Sequence, residues 1–194
     1  RLLTGDFLAI RPEQYQALCQ RIQGAINRKG KGIDLGALAE YVMPDVEEMY
    51  RFSQKQRKKL VLPWADYVAV SGVHSQINHM LPWIWEAYMQ AIAQREETIF
   101  RRIAQENCRL MEEINDKLLA AAGRRLFVSA EKSRVGVPGS VEGARQALDD
   151  LKRRADGKNL LLTDRHIFPW PYDLRQGMIY EMEALVVTTD PAQK

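Results

Sequence analysis

Cysteine and long apolar runs are scarce in this chain. Cys19 and Cys108 are its two cysteines, and they lie far apart without a CxxC spacing, which excludes a disulfide-rich scaffold. Two such thiols are typical of a reducing compartment, although the sequence leaves a bond between them open. No stretch approaches eighteen consecutive apolar residues, so we expect no membrane span.

Motifs that identify enzymes are also missing. The sequence contains no GxSxG, P-loop, GxGxxG or HExxH pattern, and such patterns are the signatures of several large enzyme classes. His74 and His79 are five residues apart, which places them on different faces of a helix and is poor geometry for one metal. The prediction is a non-enzymatic protein without catalytic residues, cofactor or metal.

Composition and charge are those of an ordinary globular chain. Apolar residues make up 46% of the 194 residues and charged residues 27%, which is enough for a hydrophobic core. The net charge of +3 permits binding to nucleic acid or to an acidic partner but does not indicate either by itself. A cytoplasmic location is the expectation. The chain starts at Arg1 and not at methionine, so targeting signals can lie outside it.

The longest uninterrupted pattern runs from Pro82 to Gly123. No proline or glycine lies between these two residues, and the segment consists mostly of strong helix formers. Proline suits the first helical turn, and glycine suits the left-handed residue just past a helix end. The pattern predicts one helix over residues 82–122, about 60 Å long at 1.5 Å per residue.

The apolar residues of this segment recur every eleven positions, as in Ile92, Ile103 and Ile114. Such a repeat is close to the period of a straight helix. The apolar stripe is wide enough to pack against two or more neighbours. Glu96 and Asn107 interrupt the stripe. We expect either that the stripe is open there or that a neighbouring arginine pairs with Glu96, and the alternative is that Glu96 belongs to a polar site.

Helices are also predicted before this segment. Pro12 opens one that runs to about Arg28, and Asp34 is a candidate N-cap for the next. That second helix restarts or kinks at Pro44, and its end is basic. Residues 63–80 are predicted to form an apolar helix that makes a sharp turn into the long one.

Three strand signals appear in the C-terminal third. They lie at 126–128, 160–162 and 178–189. Residues 131–140 are predicted to form a polar loop, and a helix with Ser140 as its cap is predicted over 141–155, with Gly157 at its end. The predicted fold is α+β and predominantly helical, with a long central helix packed in an irregular helical bundle and a small C-terminal β-sheet element. Residues 1–123 form the helical body and 124–194 a small α+β segment packed on it, in one domain.

Three tryptophans follow a proline that is itself preceded by an apolar residue. In the first two cases, Trp64 and Trp83, the proline suits the start of a helix. The third lies in the segment IFPWPY, where prolines on both sides of Trp170 favour a rigid, peripheral conformation. We therefore select Phe168, Trp170 and Tyr172 as the candidate partner-binding residues, with packing on the protein's own helices as the alternative.

Basic residues cluster near the ends of predicted helices. Cations are expected there because they interact favourably with the helix dipole. The functional prediction is a scaffold, adaptor or assembly subunit that binds protein partners, including a second copy of itself. The alternative is nucleic-acid binding through Lys55, Arg57, Lys58, Lys59, Arg101 and Arg102.

Overall fold

A computed structural model describes residues 7–139, 141–157, 160–173 and 175–188. Within these ranges the protein is α+β. The elements in chain order are α1 Pro12–Lys29, α2 Leu35–Lys59, β1 Ala65–Ser71, α3 Met80–Ile92, α4 Thr98–Ala121, β2 Ala122–Arg134, α5 Ala144–Asp156, β3 Leu161–Asp173 and β4 Met178–Thr188.

Contacts divide the chain into two compact units. Unit 1 contains the described residues up to Leu60 together with residues 78–106, and it includes α1, α2, α3 and the first part of α4. Unit 2 contains residues 61–77 and the described residues from Asn107 onward, and it includes the rest of α4, all four described strands and α5.

The first two helices of unit 1 begin where local chemistry predicts. Pro12 starts α1, and the carboxylate of Asp34 caps α2 by accepting hydrogen bonds from the N–H groups of Gly36 at 2.8 Å and Ala37 at 3.4 Å. The second helix continues through Pro44 to Lys59. Its apolar positions stay buried on both sides of the proline, as at Val42 and Val46.

The prediction of one long central helix is wrong. Its segment divides into α3, which ends at Ile92, and α4, which starts at Thr98. Ala93 ends α3 in the left-handed conformation, with φ 53° and ψ 39°. Glu96 then caps α4, because its carboxylate accepts a hydrogen bond from the N–H of Thr98 at 2.6 Å. The polar residue in the apolar stripe thus marks a helix start.

The helix predicted over residues 63–80 is also wrong. Residues 65–71 form β1, and its half-buried side chains at Val68 and Val70 alternate with exposed ones. This strand lies parallel to β2, with Val68 opposite Leu126 and Val70 opposite Val128. The β-branched residues that pack well on a sheet prevail over an apolar spacing that also fits a helix.

The four-stranded sheet is a core element and not a small C-terminal addition. Its order is β1-β2-β4-β3, with β1 and β2 parallel and the other neighbours antiparallel. The second strand is longer than expected, since it includes Gly123, predicted to end a helix, and residues 131–134, predicted to be a loop. The inner face of the sheet contributes buried residues to the core of unit 2: Leu126, Val128, Ala130, Leu185 and Val187.

The helix α5 packs on the inner face, and α5 contacts both β2 and β3. Gly143 precedes it and Gly157 ends it, as predicted for the latter; Ser140 lies outside the described residues. Gly143 has φ 79°, and a Cβ atom there would lie 2.5 Å from the carbonyl oxygen of His74. Only glycine fits this position, where the turn before α5 meets the loop after β1.

Candidate binding cleft on the outer face of the sheet

The outer face of the sheet carries a cleft of about 350 Å³. This volume is at the lower end of the range for ligand pockets. Every described strand contributes to it, together with the loop that follows β1. Its lining residues are Ser71, Gly72, Gln76, Glu131, Phe168, Trp170, Tyr172 and Met182. The three candidate partner-binding residues therefore line one concavity.

One wall of the cleft is aromatic. Phe168, Trp170 and Tyr172 occupy every second position of β3, so they share one side of the strand. Trp170 is 52% exposed and Tyr172 62% exposed. The ring of Tyr172 meets the ring of Tyr180 on β4 edge to face, with centroids 5.6 Å apart, which fixes its position. The wall is thus both exposed and held in place.

Prolines occupy the positions between these rings. The strand β3 is at one edge of the sheet, and an antiparallel neighbour pairs with the N–H of every second residue. Pro169 and Pro171 have no N–H to donate, so the free edge of β3 lacks donors at those positions. A further strand is poorly supported there, and a ligand is expected to contact the rings and not to extend the sheet.

The floor of the cleft is acidic. Glu131 on β2, Met182 on β4 and Phe168 on β3 form one row across the three strands. Glu131 is 8% exposed, and its Oε2 accepts a hydrogen bond from the hydroxyl of Ser75 at 2.9 Å. The hydroxyl oxygens of Ser71 and Ser129 lie 2.7 Å apart beside it. The carboxylate of Glu131 and the hydroxyl of Ser71 therefore line the cleft together with the aromatic wall.

The loop after β1 is held by a buried histidine. His74 is fully buried, and neither of its ring nitrogens has a hydrogen-bond partner among the described residues. Burial lowers the pKa of His74 to about 4, so the ring is neutral at pH 7. The loop also pairs with the sheet, because the N–H of Gly72 donates to the carbonyl oxygen of Ser129 at 3.0 Å. The ring of His74 lies in the core and is not among the described residues that line the cleft.

The candidate nucleic-acid residues do not all reach one surface. Lys55, Lys58, Lys59 and Arg101 are exposed. Arg57 is 1% exposed and pairs with Glu106 at 3.2 Å. Arg102 is partly buried and pairs with the carboxylates of Glu47 and Glu106. Arg57 and Arg102 are therefore engaged in ion pairs within unit 1.

Other kinds of site find no support in the described part of the chain. No three histidine, cysteine, aspartate or glutamate side chains among residues 7–139, 141–157, 160–173 and 175–188 could hold a metal ion. No helix in those ranges has the length and apolar character needed to cross a membrane. Cys19 and Cys108 are free cysteines.

Sequence reasoning selected the three residues of the aromatic wall as candidates and did not select the residues of the floor. Glu131 was placed in a polar loop, although the alternation from Leu126 to Ala130 continues through it and indicates a longer strand. The residues that complete the cleft lie far apart in sequence, and only strand pairing brings them together. Comparisons of the chain with protein-family models, curated proteins and solved structures found no match.

Proposed function

We propose that this protein is a non-enzymatic docking subunit that binds a protein partner through the aromatic cleft. The observation that carries the proposal is the convergence of Phe168, Trp170 and Tyr172 on one side of an edge strand, next to a concave floor. Groups of exposed aromatic residues are typical of surfaces that a partner covers. Tryptophan and tyrosine are also the residues that most often dominate the free energy of protein binding.

Rigidity of the wall supports this function. Prolines on both sides of Trp170 restrict the backbone, and pairing with β4 holds the strand. The rings therefore lose little conformational entropy when a partner binds. The groups that line the cleft are rings, hydroxyls, an amide and a carboxylate, and no histidine or cysteine is among the described lining residues. Such a set is suited to recognition.

The cleft favours a protein over a nucleic acid. Glu131 places a carboxylate in its floor, and a phosphate would be repelled there. The basic residues selected as the nucleic-acid alternative belong to unit 1, where Arg57 and Arg102 already pair with carboxylates. The aromatic rings of the cleft belong to unit 2.

Replacing Trp170 by alanine is expected to abolish capture of the partner while the melting temperature stays within about 2 °C of the wild type, because a ring that is 52% exposed contributes little to the core. A photo-crosslinking amino acid at position 172 would identify the partner by mass spectrometry. A product of twice the 22.3 kDa chain mass would identify a second copy as the partner.

Trp83→Ala is the matched control, since Trp83 is also a largely exposed tryptophan, 61% exposed, but belongs to α3 in unit 1. It should leave cross-linking at position 172 unchanged. If Trp170→Ala lowered the melting temperature by several degrees and left the cross-linked product intact, Trp170 would be a core residue and the proposed docking surface would be wrong.

A further inference from the structure

We infer that the group bound in the aromatic cleft is the guanidinium of an arginine side chain on the partner. This inference rests on the proposed docking function and adds the chemistry that the cleft selects. Glu131 is the charged residue among the described residues that line the cleft. A cation is the complementary ligand, and the cleft supplies both the opposite charge and the surface to hold it.

The charge of Glu131 is available to a ligand. Its nearest basic neighbour in sequence, Lys132, is paired with Glu181 at 3.0 Å. The hydroxyl of Ser75 bonds to Oε2, and Oε1 accepts no hydrogen bond from any described residue. Oε1 lies on the side of the carboxylate next to Gly72, because a Cβ atom at this glycine would lie 3.4 Å from it. Oε1 can therefore accept a hydrogen bond from a bound cation.

The spacing of floor and wall suits a flat cation. Glu131 and Phe168 occupy one row with a single strand between them, and two strand spacings separate their backbones by about 10 Å. A planar guanidinium can stack with one face on an aromatic ring, and its N–H groups then point outward, parallel to the ring plane. Those N–H groups then reach the carboxylate and the hydroxyl of Ser71.

Arginine fits these groups better than lysine. The ammonium of lysine is compact and strongly hydrated, and it loses that hydration beside aromatic rings and a carboxylate that is largely buried. The guanidinium is more weakly hydrated and has five N–H donors. Acceptors on the described lining residues include the carboxylate of Glu131, the hydroxyl of Ser71 and the side-chain carbonyl of Gln76. They match a donor with several N–H groups.

The test compares three short peptides on the wild-type protein. The probes are acetyl-Gly-Arg-Gly-amide, the same peptide with lysine, and the same peptide with citrulline, which has nearly the shape of arginine but no charge. We expect the arginine peptide to bind about tenfold more tightly than the other two. Binding is followed by nuclear magnetic resonance at the indole N–H of Trp170, assigned with Trp170→Phe.

Two variants locate the charge selection. Glu131→Gln keeps the size and the acceptor for Ser75 and should remove most of the preference for arginine over citrulline. Glu181→Gln changes a carboxylate on β4 next to the floor residue Met182 and should leave the preference intact. Equal affinity for arginine and citrulline, tighter binding of lysine, or a preference that survives Glu131→Gln would each overturn the inference.

Failure of this inference is distinguishable from failure of the docking function. If Trp170→Ala abolishes capture of the partner but the peptides show no preference for arginine, the docking surface stands and its ligand is not a guanidinium. If the partner is captured equally by wild type and Trp170→Ala, the docking function itself is wrong. The peptide comparison uses the unmodified protein, so it gives a result even if a variant does not fold.

Discussion

Replacing Arg57 by methionine is expected to destabilise the protein by about 3–5 kcal/mol. Arg57 and Glu106 are each 1% exposed and pair at 3.2 Å. Removing the cation takes away the ion-pair partner at 3.2 Å from the buried carboxylate of Glu106, and a buried charge that loses its compensation is costly. The free energy of unfolding, measured by urea denaturation with the spectroscopic signal of helix content, checks this expectation.

The surroundings of the pair explain why the loss is large. Arg57 also donates a hydrogen bond to the hydroxyl of Ser53, and the hydroxyl of Ser53 donates to the carbonyl oxygen of Leu8. Arg102 approaches the second oxygen of Glu106 at 3.5 Å. Removing Arg57 thus disturbs several buried polar groups together, and such networks lose more than the sum of isolated bonds.

Arg101→Met is the control, because Arg101 is an exposed arginine on the same helix as Glu106. Its cost should stay within about 0.5 kcal/mol. The double variant Arg57→Met/Glu106→Met should be more stable than Arg57→Met by about 1 kcal/mol or more, since no charge of this pair then stays buried. A loss below about 1 kcal/mol in Arg57→Met would contradict the view that this arginine has a structural role.

The second large effect is a dependence of stability on pH that originates in His74. The folded protein holds the pKa of this buried imidazole at about 4, against an ordinary value of 6.5. Below pH 6.5 the unfolded chain binds a proton that the folded chain does not, so the free energy of unfolding decreases as the pH falls. Between pH 6.5 and 4 the decrease from this group amounts to about 3 kcal/mol.

His74→Leu should remove this contribution. Over that pH interval, the free energy of unfolding of the variant should decrease by about 3 kcal/mol less than that of the wild type. Because carboxylates also titrate there, the difference between the two curves is the quantity to measure. Denaturant unfolding at half-unit intervals of pH gives both curves.

The control for this experiment is Leu148→Ala, which opens a cavity in the same unit without changing a titratable group. It should lower stability by a similar amount at every pH and leave the shape of the curve unchanged. Parallel curves for wild type and His74→Leu would show that His74 is accessible to protons in the folded state. Resonances of the His74 ring, followed against pH, provide a second measurement of its titration.

Local chemistry determined several features that the sequence alone predicts. The start of α1 at Pro12 needs only a fixed φ and no N–H. The cap of α2 needs only the carboxylate of Asp34, which accepts a hydrogen bond from the N–H of Gly36, two residues later. Gly157 directly follows Asp156, the last residue of α5, and its N–H donates to the carbonyl oxygen of Arg153 in that helix at 3.0 Å. Each feature depends only on residues that are close in sequence, so the sequence is sufficient to predict it.

The alternation of aromatic residues and prolines in β3 is also a feature of residues that are close in sequence. Phe168, Trp170 and Tyr172 share a face because an extended strand places every second side chain on one side, and the prolines between them favour extended backbone. Sequence reasoning selected these three residues together as candidates, and the structure places them along one cleft. Their role in binding a partner stays a prediction until the experiments above are done.

Only the tertiary structure decided where the long helical pattern ends and where the strands lie. Ala93 is a strong helix former with no sequence signal for a left-handed conformation, yet α3 ends there. Residues 65–71 fit a helix by spacing and become a strand because β2, more than fifty residues later, pairs with them. Glu131 on β2 and the aromatic wall on β3 lie on the same sheet face because both strands pair with β4 between them. Strand pairing joins residues that are distant in the chain, and its free energy depends on contacts that no local pattern contains.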